Sequence, residues 1–351
     1  MENKVTITDI ASVVGVSIGT VHRALHGKAG VSTAVRNEIL RQAEEMGYCA
    51  PATTALQKKG PLRLVVAFPE LTRENSYFFS ELWRGYREQM KELAAYHIEV
   101  LELPYDDSGE NGFSANMQKA FRKWNGEIDG VLAGGRIFAD GYEELRRMHK
   151  RNIPIVLVGE GAAVCGGLCC IQSDYELNGR LAAEALTAQI PPDGKILMCA
   201  GDMLLRSNHN SEVGFEKYLR ANGCKNLLIK IHGYEGVDGI YESVTGALAA
   251  DKNIVGLYSV NLRCSLMLAR AVEAMGLQQR VCLIGSDLCP ESAVYLRSGT
   301  INNIIFKNPR MEGRIGAKRL TDYLLHGKLP ATKTEALKTE VIYKSNLEQY
   351  L

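Results

Sequence analysis

One stretch near the start of the chain, TITDIASVVGVSIGTVHRALH at residues 6–26, constrains the fold more than any other part of the sequence. It predicts two short helices packed across a tight turn. Thr6 is expected to cap the first helix, and Asp9 three residues later completes a capping box. Gly15 suits the turn because glycine reaches backbone angles that a side chain penalises. The pattern is therefore typical of a helix-turn-helix.

The second predicted helix starts at Ser17 and has one apolar face and one polar face. Val21, Ala24 and Leu25 recur at helical spacing. They are expected to pack against Ile10, Ala11 and Val14 of the first helix, whose apolar face Val13 and Val14 are expected to complete. The polar face, together with hydroxyls at helix starts that suit phosphate groups, supplies the candidate DNA contacts. These candidates are Thr6, Ser17, Ile18, Gly19, Thr20, His22, Arg23, His26 and Ser32.

An ordinary surface hairpin of two helices is the alternative interpretation of this stretch. Small residues at Ala11 and Gly15, combined with the apolar Val21 and Leu25, favour helix-turn-helix geometry instead. A third helix is predicted after Ser32, with an apolar stripe of Val35, Ile39, Ala43 and Met46, and Gly47 is expected to end it. Residues 49–61 are then predicted to form a linker.

Length and composition restrict the class of protein further. The 351 residues allow two or three compact units, and the 46% hydrophobic content is ordinary for a globular protein. Neither a membrane-spanning run nor a signal segment is evident, which favours the cytoplasm, where the nine cysteines stay reduced. Cys165, Cys169 and Cys170 cluster, but they lack a second ligand pair at zinc spacing, so neither a metal site nor a cofactor is predicted.

From Leu62 onward, short apolar runs alternate with helical segments. LRLVVAF, HIEVLEL, IDGVLAGG and IPIVLVGE precede a glycine-rich break at 161–167, and KILMCAG, LLIKIHG, VGLYSV and VCLIGSD follow it. Apolar strands linked by helices indicate parallel sheets covered on both faces. Two such series in tandem predict two lobes. The predicted fold class is therefore α/β, with a three-helix headpiece ahead of a two-lobed core of parallel sheets.

The order of motifs resembles a known family. TITDIA, GVS, TV-RAL-G, VS---R and AEEMGY within residues 6–48 look like the N-terminal domain of the LacI/GalR transcriptional regulators, and IDGVL, SD---NG, IGSD and KNP-MEG continue the resemblance through the core. The resemblance implies a headpiece at 1–48, a hinge linker at 49–61 and a periplasmic-binding-protein-like effector-binding and dimerisation domain at 62–351. The lobes are expected at about 62–163 with 300–327 and about 164–299 with 328–351, with the chain crossing between them near 161–167, 287–300 and 327–331.

The resemblance also implies how DNA is contacted. Ile18, Gly19 and Arg23 occupy the positions that read bases in the family. The linker of the family wedges a leucine into the minor groove. Here the usual spacing falls on Gln57, and Leu56 takes this role only after a one-residue adjustment, so a wedge and a plain spacer both remain open for the linker.

In the family, an effector binds between the lobes. Phe78 and Phe79 match an aromatic pair that stacks on sugars in related proteins, and Asn261 and Asp287 match positions that bind sugar hydroxyls. The chain departs from the family at two positions, where Ser211 replaces an arginine and Lys307 replaces a glutamine. A neutral polyol would use Asp287 with the two rings and would leave Lys307 either paired with Asp287 or turned to solvent. Because burying an ammonium without a partner is costly, Lys307 favours an effector that carries a carboxylate or phosphate.

Three classes of protein compete for this chain. A regulator that binds double-stranded operator DNA as a homodimer, with its affinity changed by a small effector, accounts for both the helix-turn-helix and the core. A sugar-binding protein without a regulatory role leaves the helix-turn-helix unexplained. An enzyme using Asp287, His209 and Cys289 lacks an accompanying nucleophile-elbow or phosphate-loop pattern. We therefore predict a non-enzymatic, cytoplasmic DNA-binding regulator; whether the effector releases or promotes DNA binding is not encoded in these motifs.

Overall fold

The computed structural model describes residues 5–25, 30–46, 48, 60–72, 75–106, 109, 112–159, 166–233 and 237–351. The helices are α1 (Ile7–Val14), α2 (Ile18–Leu25), α3 (Thr33–Glu45), α4 (Ser76–Glu92), α5 (Gly112–Lys123), α6 (Ala139–Lys150), α7 (Tyr175–Thr187), α8 (Arg206–Ala221), α9 (Val237–Ala250), α10 (Leu262–Ala274), α11 (Pro290–Ser298) and α12 (Pro309–His326), followed by a 3-10 helix at Leu347–Gln349. The strands are β1 (Leu62–Ala67), β2 (Ile98–Glu102), β3 (Gly130–Gly134), β4 (Ile155–Val158), β5 (Cys169–Ser173), β6 (Lys195–Gly201), β7 (Leu228–His232), β8 (Ile254–Ser259), β9 (Cys282–Ser286), β10 (Asn303–Phe306), β11 (Thr334–Leu337) and β12 (Glu340–Tyr343).

The first helix begins and ends as predicted. The Thr6 backbone N–H donates to Asp9 Oδ2 at 2.7 Å, and the Asp9 N–H donates back to Thr6 Oγ1 at 3.3 Å, which completes the capping box. Gly15 ends α1 with φ +74°, in the left-handed region that favours glycine. Local sequence alone therefore determines the entry and exit of this helix.

The core of the headpiece contains most of the residues predicted for it. Its fully buried members include Ile10, Val21, Ala24, Ile39 and Ala43. The prediction was wrong for Val13, whose side chain is 57% exposed. Each residue turns a helix by about 100°, so Val14 completes the face of Ile10 and Ala11 while Val13 points to solvent.

The remaining chain forms two six-stranded sheets with helices between the strands. The strand order is β11-β5-β4-β3-β1-β2 in the first sheet and β12-β10-β9-β8-β6-β7 in the second. Pairing is parallel throughout the series from β2 to β5 and from β7 to β10, whereas β10 and β12 run antiparallel. Strands β3 and β4 are buried along their whole length, as expected where helices cover both faces. The predicted fold class is confirmed.

The chain divides into two compact units. The first contains Met1–Thr72, Phe79–Gln172 and Pro309–Ala336, and the second contains Arg73–Phe78, Ser173–Asn308 and Leu337–Leu351. These divisions lie later in the chain than the predicted crossings, because β5 and β11 pair within the first sheet and β10 pairs within the second. The first crossing was predicted at the glycine-rich stretch 161–167. This stretch precedes β5, which still belongs to the first sheet.

Candidate functional site

Helix α2 presents one face that the headpiece does not use. Val21, Ala24 and Leu25 are buried, as predicted, while the opposite face is exposed. Ile18 at the start of the helix is 54% exposed. The remaining exposed side of the helix consists of Gly19, His22 and Arg23. The face predicted to contact DNA is therefore on the surface.

Hydroxyl groups at the helix starts form local caps. Ser17 Oγ accepts a hydrogen bond from the Thr20 N–H at 3.1 Å and lies 2.8 Å from Thr20 Oγ1. Ser32 Oγ accepts from the Val35 N–H at 3.4 Å. These hydroxyls are thus placed beside backbone N–H groups, the arrangement in which helix starts contact phosphates. The other two predicted DNA contacts, His26 and Leu56, lie outside the described residues.

A buried ion pair lies at the carboxyl edge of the second sheet. Lys307 follows β10 and donates from Nζ to Asp287 Oδ2 at 2.9 Å and to Val260 O at 2.9 Å. The two side chains are only 8% and 5% exposed. Asp287 Oδ1 is buried and has no hydrogen-bond partner among the described residues. The pair therefore neutralises its own charge while keeping one acceptor available.

Two asparagine amides lie close to Gly201 at the end of β6, and one of them belongs to the residue that follows Val260, whose carbonyl accepts from Lys307. Asn261, directly after Val260, caps α10 by accepting from the Cys264 N–H at 2.9 Å, so its Nδ2 is the group left for other partners. Gly201 has φ +65°, and a Cβ there would lie 2.7 Å from Asn261 Nδ2 and 2.9 Å from Asn208 Nδ2. Asn208 was missed by the sequence reasoning, although its position in the first turn after a strand of the second sheet was an available signal.

The other predicted effector contacts are placed differently. Ser211 is fully buried, and its hydroxyl donates to Ser207 O at 2.8 Å. Burial raises the pKa of Tyr258, so this phenol stays neutral. Phe78 and Phe79 are half-buried in the first turn of α4. The structure therefore brings Asn261, Asp287 and Lys307 together, and Ser211 lies in the interior of the same unit.

Two cysteines considered for metal binding or catalysis, Cys169 and Cys289, are accounted for by burial and by helix capping. Burial raises the pKa of Cys169 to about 12, which keeps this thiol protonated and a poor metal ligand. Cys289 caps α11, where its sulfur accepts from the Ser292 N–H at 3.4 Å. No group of three His, Cys, Asp or Glu side chains able to hold a metal ion occurs within the described ranges. In the same part of the chain, no helix is long and apolar enough to cross a membrane.

An exposed recognition helix and a ligand-type site at strand ends define a class: a DNA-binding protein with a small-molecule-binding domain. The comparisons with known proteins agree with this class. Residues 6–50 match the model of bacterial regulatory proteins of the lacI family, and residues 65–329 match the periplasmic binding protein domain. The chain belongs to the lacI family of transcriptional regulators, as the motifs predicted.

Similar proteins include regulators and solute-binding proteins. The chain is 25% identical over 252 residues to catabolite control protein A of Priestia megaterium, covering 71% of this chain and 69% of that protein. A LacI transcriptional regulator of Bacteroides fragilis has a TM-score of 0.73 at 18% identity, covering 83% of this chain and 100% of that one. A solute-binding protein of Bacillus halodurans C-125 with bound myo-inositol has a TM-score of 0.71 at 14% identity, covering 84% and 98%. At these identities the two structures show the fold alone.

Proposed function

We propose that this regulator binds a pseudo-palindromic operator as a homodimer through the exposed face of α2, within a headpiece at residues 1–48. One helix of eight residues offers few base contacts, and a two-fold dimer doubles them on a symmetric site. The linker at 49–61 joins this headpiece to an effector-binding and dimerisation domain at 62–351. The observation that carries the proposal is the exposed α2 face in a chain of this family.

The effector that fits the second unit is a neutral polyhydroxylated molecule, such as a sugar or cyclic polyol. Lys307 was expected to favour an anionic effector, but its ammonium already bonds with Asp287 and Val260 O. An anion added here would meet a charge that is already neutralised. Asp287 Oδ1 instead lacks a donor, which a hydroxyl group supplies. Asn261 Nδ2 adds an amide donor suited to a further hydroxyl, whereas Asn208 Nδ2 already donates to Asp202 O at 3.0 Å. The myo-inositol bound by the similar fold carries such hydroxyls.

A thermal-shift screen tests the effector. Neutral sugars and polyols are compared with their acid and phosphate counterparts on the wild type, Asp287→Asn and the control Asp251→Asn. Asp251 pairs with Lys195 at 2.6 Å in the same unit but at the opposite edge of the sheet. A neutral ligand should stabilise the wild type and Asp251→Asn but not Asp287→Asn. Stabilisation by anionic compounds alone would contradict the assignment.

DNA binding is tested with promoter DNA from beside the gene of this protein. The full-length protein should retard this DNA and protect two related half-sites from cleavage. A bound monomer on one asymmetric half-site would contradict the dimer model. Ligand binding without any DNA retardation would favour the alternative, a sugar-binding protein whose headpiece has no regulatory role.

A further inference from the structure

Gly19 lies inside α2, where glycine is unfavourable. Neither its backbone angles nor its contacts within the described headpiece require glycine. Glycine destabilises a helix interior relative to alanine because its backbone loses more freedom on folding. Gly19 is not among the residues with positive φ. A Cβ added to it would meet only Ser17 Oγ, at an ordinary 3.8 Å. The reason for glycine at this position must therefore lie outside the described headpiece.

Ile18, the neighbour of Gly19, is an apolar residue on an otherwise polar surface. Its side chain is 54% exposed and does not belong to the apolar core of the headpiece. It is the first residue of α2, the end at which recognition helices contact base edges. An isoleucine pressed against a polar base edge would leave the donors and acceptors of that base unsatisfied.

We infer that Ile18 reads the 5-methyl group of a thymine and that Gly19 keeps the helix surface bare so that α2 approaches the base closely. Thymine is the one base that presents a methyl group in the major groove, and apolar side chains recognise it by contact. This inference rests on the proposed role of α2 as the DNA-contacting helix. It assigns specificity to apolar contact and close approach, next to the hydrogen-bonding Arg23.

The experiment begins with the operator itself. Random-sequence duplexes are selected on the full-length protein, and each thymine of the enriched half-site is replaced in turn by deoxyuridine, which lacks only the methyl group. Replacing one thymine should weaken wild-type binding about fourfold per half-site, the factor for losing burial of one methyl group. Ile18→Ala should bind the thymine and uracil duplexes equally. Val13→Ala is the matched control, because Val13 is similarly exposed on α1, and it should keep the fourfold difference.

Gly19→Ala provides an independent readout. It should raise the thermal midpoint of the headpiece, because alanine favours the helix, and yet weaken operator binding. The inference is overturned if no thymine replacement changes the affinity, if Ile18→Ala keeps the methyl preference, or if Gly19→Ala binds operator as well as the wild type. Failure to enrich any sequence would instead contradict the proposed DNA-binding role of α2, so the two failures are distinguishable.

Discussion

The α2 surface and the Asp287–Lys307 pair show two opposite ways of preparing a binding site. On α2, the Arg23 guanidinium has only a long bond of 3.4 Å to Thr20 Oγ1 and remains exposed. In the second unit, Lys307 is buried and makes two bonds of 2.9 Å. The groups proposed to contact DNA would thus gain their partners on binding, whereas the proposed effector site is organised before binding. This contrast predicts that substitutions will affect DNA affinity at the first site and folding at the second.

The largest effect is expected for Lys307→Met, which leaves the Asp287 carboxylate buried without its partner. Breaking a buried pair in this way costs about 3–5 kcal/mol of unfolding free energy. The double variant Lys307→Met with Asp287→Leu should recover part of this loss, because it removes both charges, although leucine at the positive φ of position 287 adds strain. Urea unfolding followed by circular dichroism gives these values.

Tryptophan fluorescence supplies the internal control for Lys307→Met. Trp83 and Trp124 are the two tryptophans of the chain, and both belong to the first unit. Fluorescence therefore follows the first unit while circular dichroism follows both. A Lys307→Met variant as stable as the wild type by both signals would mean that the ion pair does not organise the site.

Arg23→Ala should have the next largest effect, and on DNA binding alone. Loss of a bidentate contact to guanine costs about 1–3 kcal/mol and relaxes the preference at one base pair. Ser17→Ala should instead weaken binding to all sequences alike, because this hydroxyl lies at a helix start that suits a phosphate. Binding is measured by gel retardation on the selected operator and its single-base variants. An unchanged sequence preference in Arg23→Ala would remove the arginine from the base-reading set.

Thr6→Ala should destabilise the headpiece by about 1 kcal/mol through loss of the α1 cap. Ser12→Ala on the same helix is the control, since the Ser12 hydroxyl bonds only to Thr8 O. The bonds from Thr6 also hold the pKa of Asp9 below its usual value. The contribution of Asp9 to the stability of the headpiece is therefore fully present above its unfolded-state pKa. This contribution is lost as the pH falls through the lower folded-state pKa. Thermal melts at neutral and acid pH measure both effects, and equal melts for Thr6→Ala and wild type would contradict the cap.

The smallest effect is expected for Arg41→Ala. Arg41 bonds Glu38 and Glu45 at 2.6 Å on the exposed face of α3. Such surface pairs contribute little because solvent screens them. We expect no measurable change in the thermal midpoint or in operator affinity. A loss of DNA binding comparable with that of Arg23→Ala would extend the contact surface to α3.

Features that depend on neighbouring residues were predictable from the sequence. The Thr6 cap, the Gly15 turn and the buried face of α2 all follow from side chains a few positions apart. Val13 shows the limit of this reasoning, because counting apolar residues does not say which way each one points. The alternation of strands and helices likewise predicted the fold class but not the strand at which the chain leaves the first sheet.

The proposed effector site could be assembled only with the structure in hand. Asp287 and Lys307 are 20 residues apart, and only the adjacent placement of β9 and β10 brings the ammonium to the carboxylate. From the sequence, the lysine favoured an anionic ligand, although pairing with Asp287 remained open. Asn208 was not predicted for a related reason, since its nearness to Asn261 depends on two separate segments meeting at Gly201.

The backbone at Asp287 limits how the proposed effector site of this regulator can change during evolution. Asp287 has φ +63°, a conformation that asparagine, aspartate and glycine tolerate and that branched side chains do not. Mutation can therefore exchange the carboxylate for an amide or for no side chain, but not for a bulky apolar group without disturbing the loop. Descendants of this protein that respond to a different class of compound should have changed position 208, 261 or 307 while retaining a small polar residue or glycine at 287.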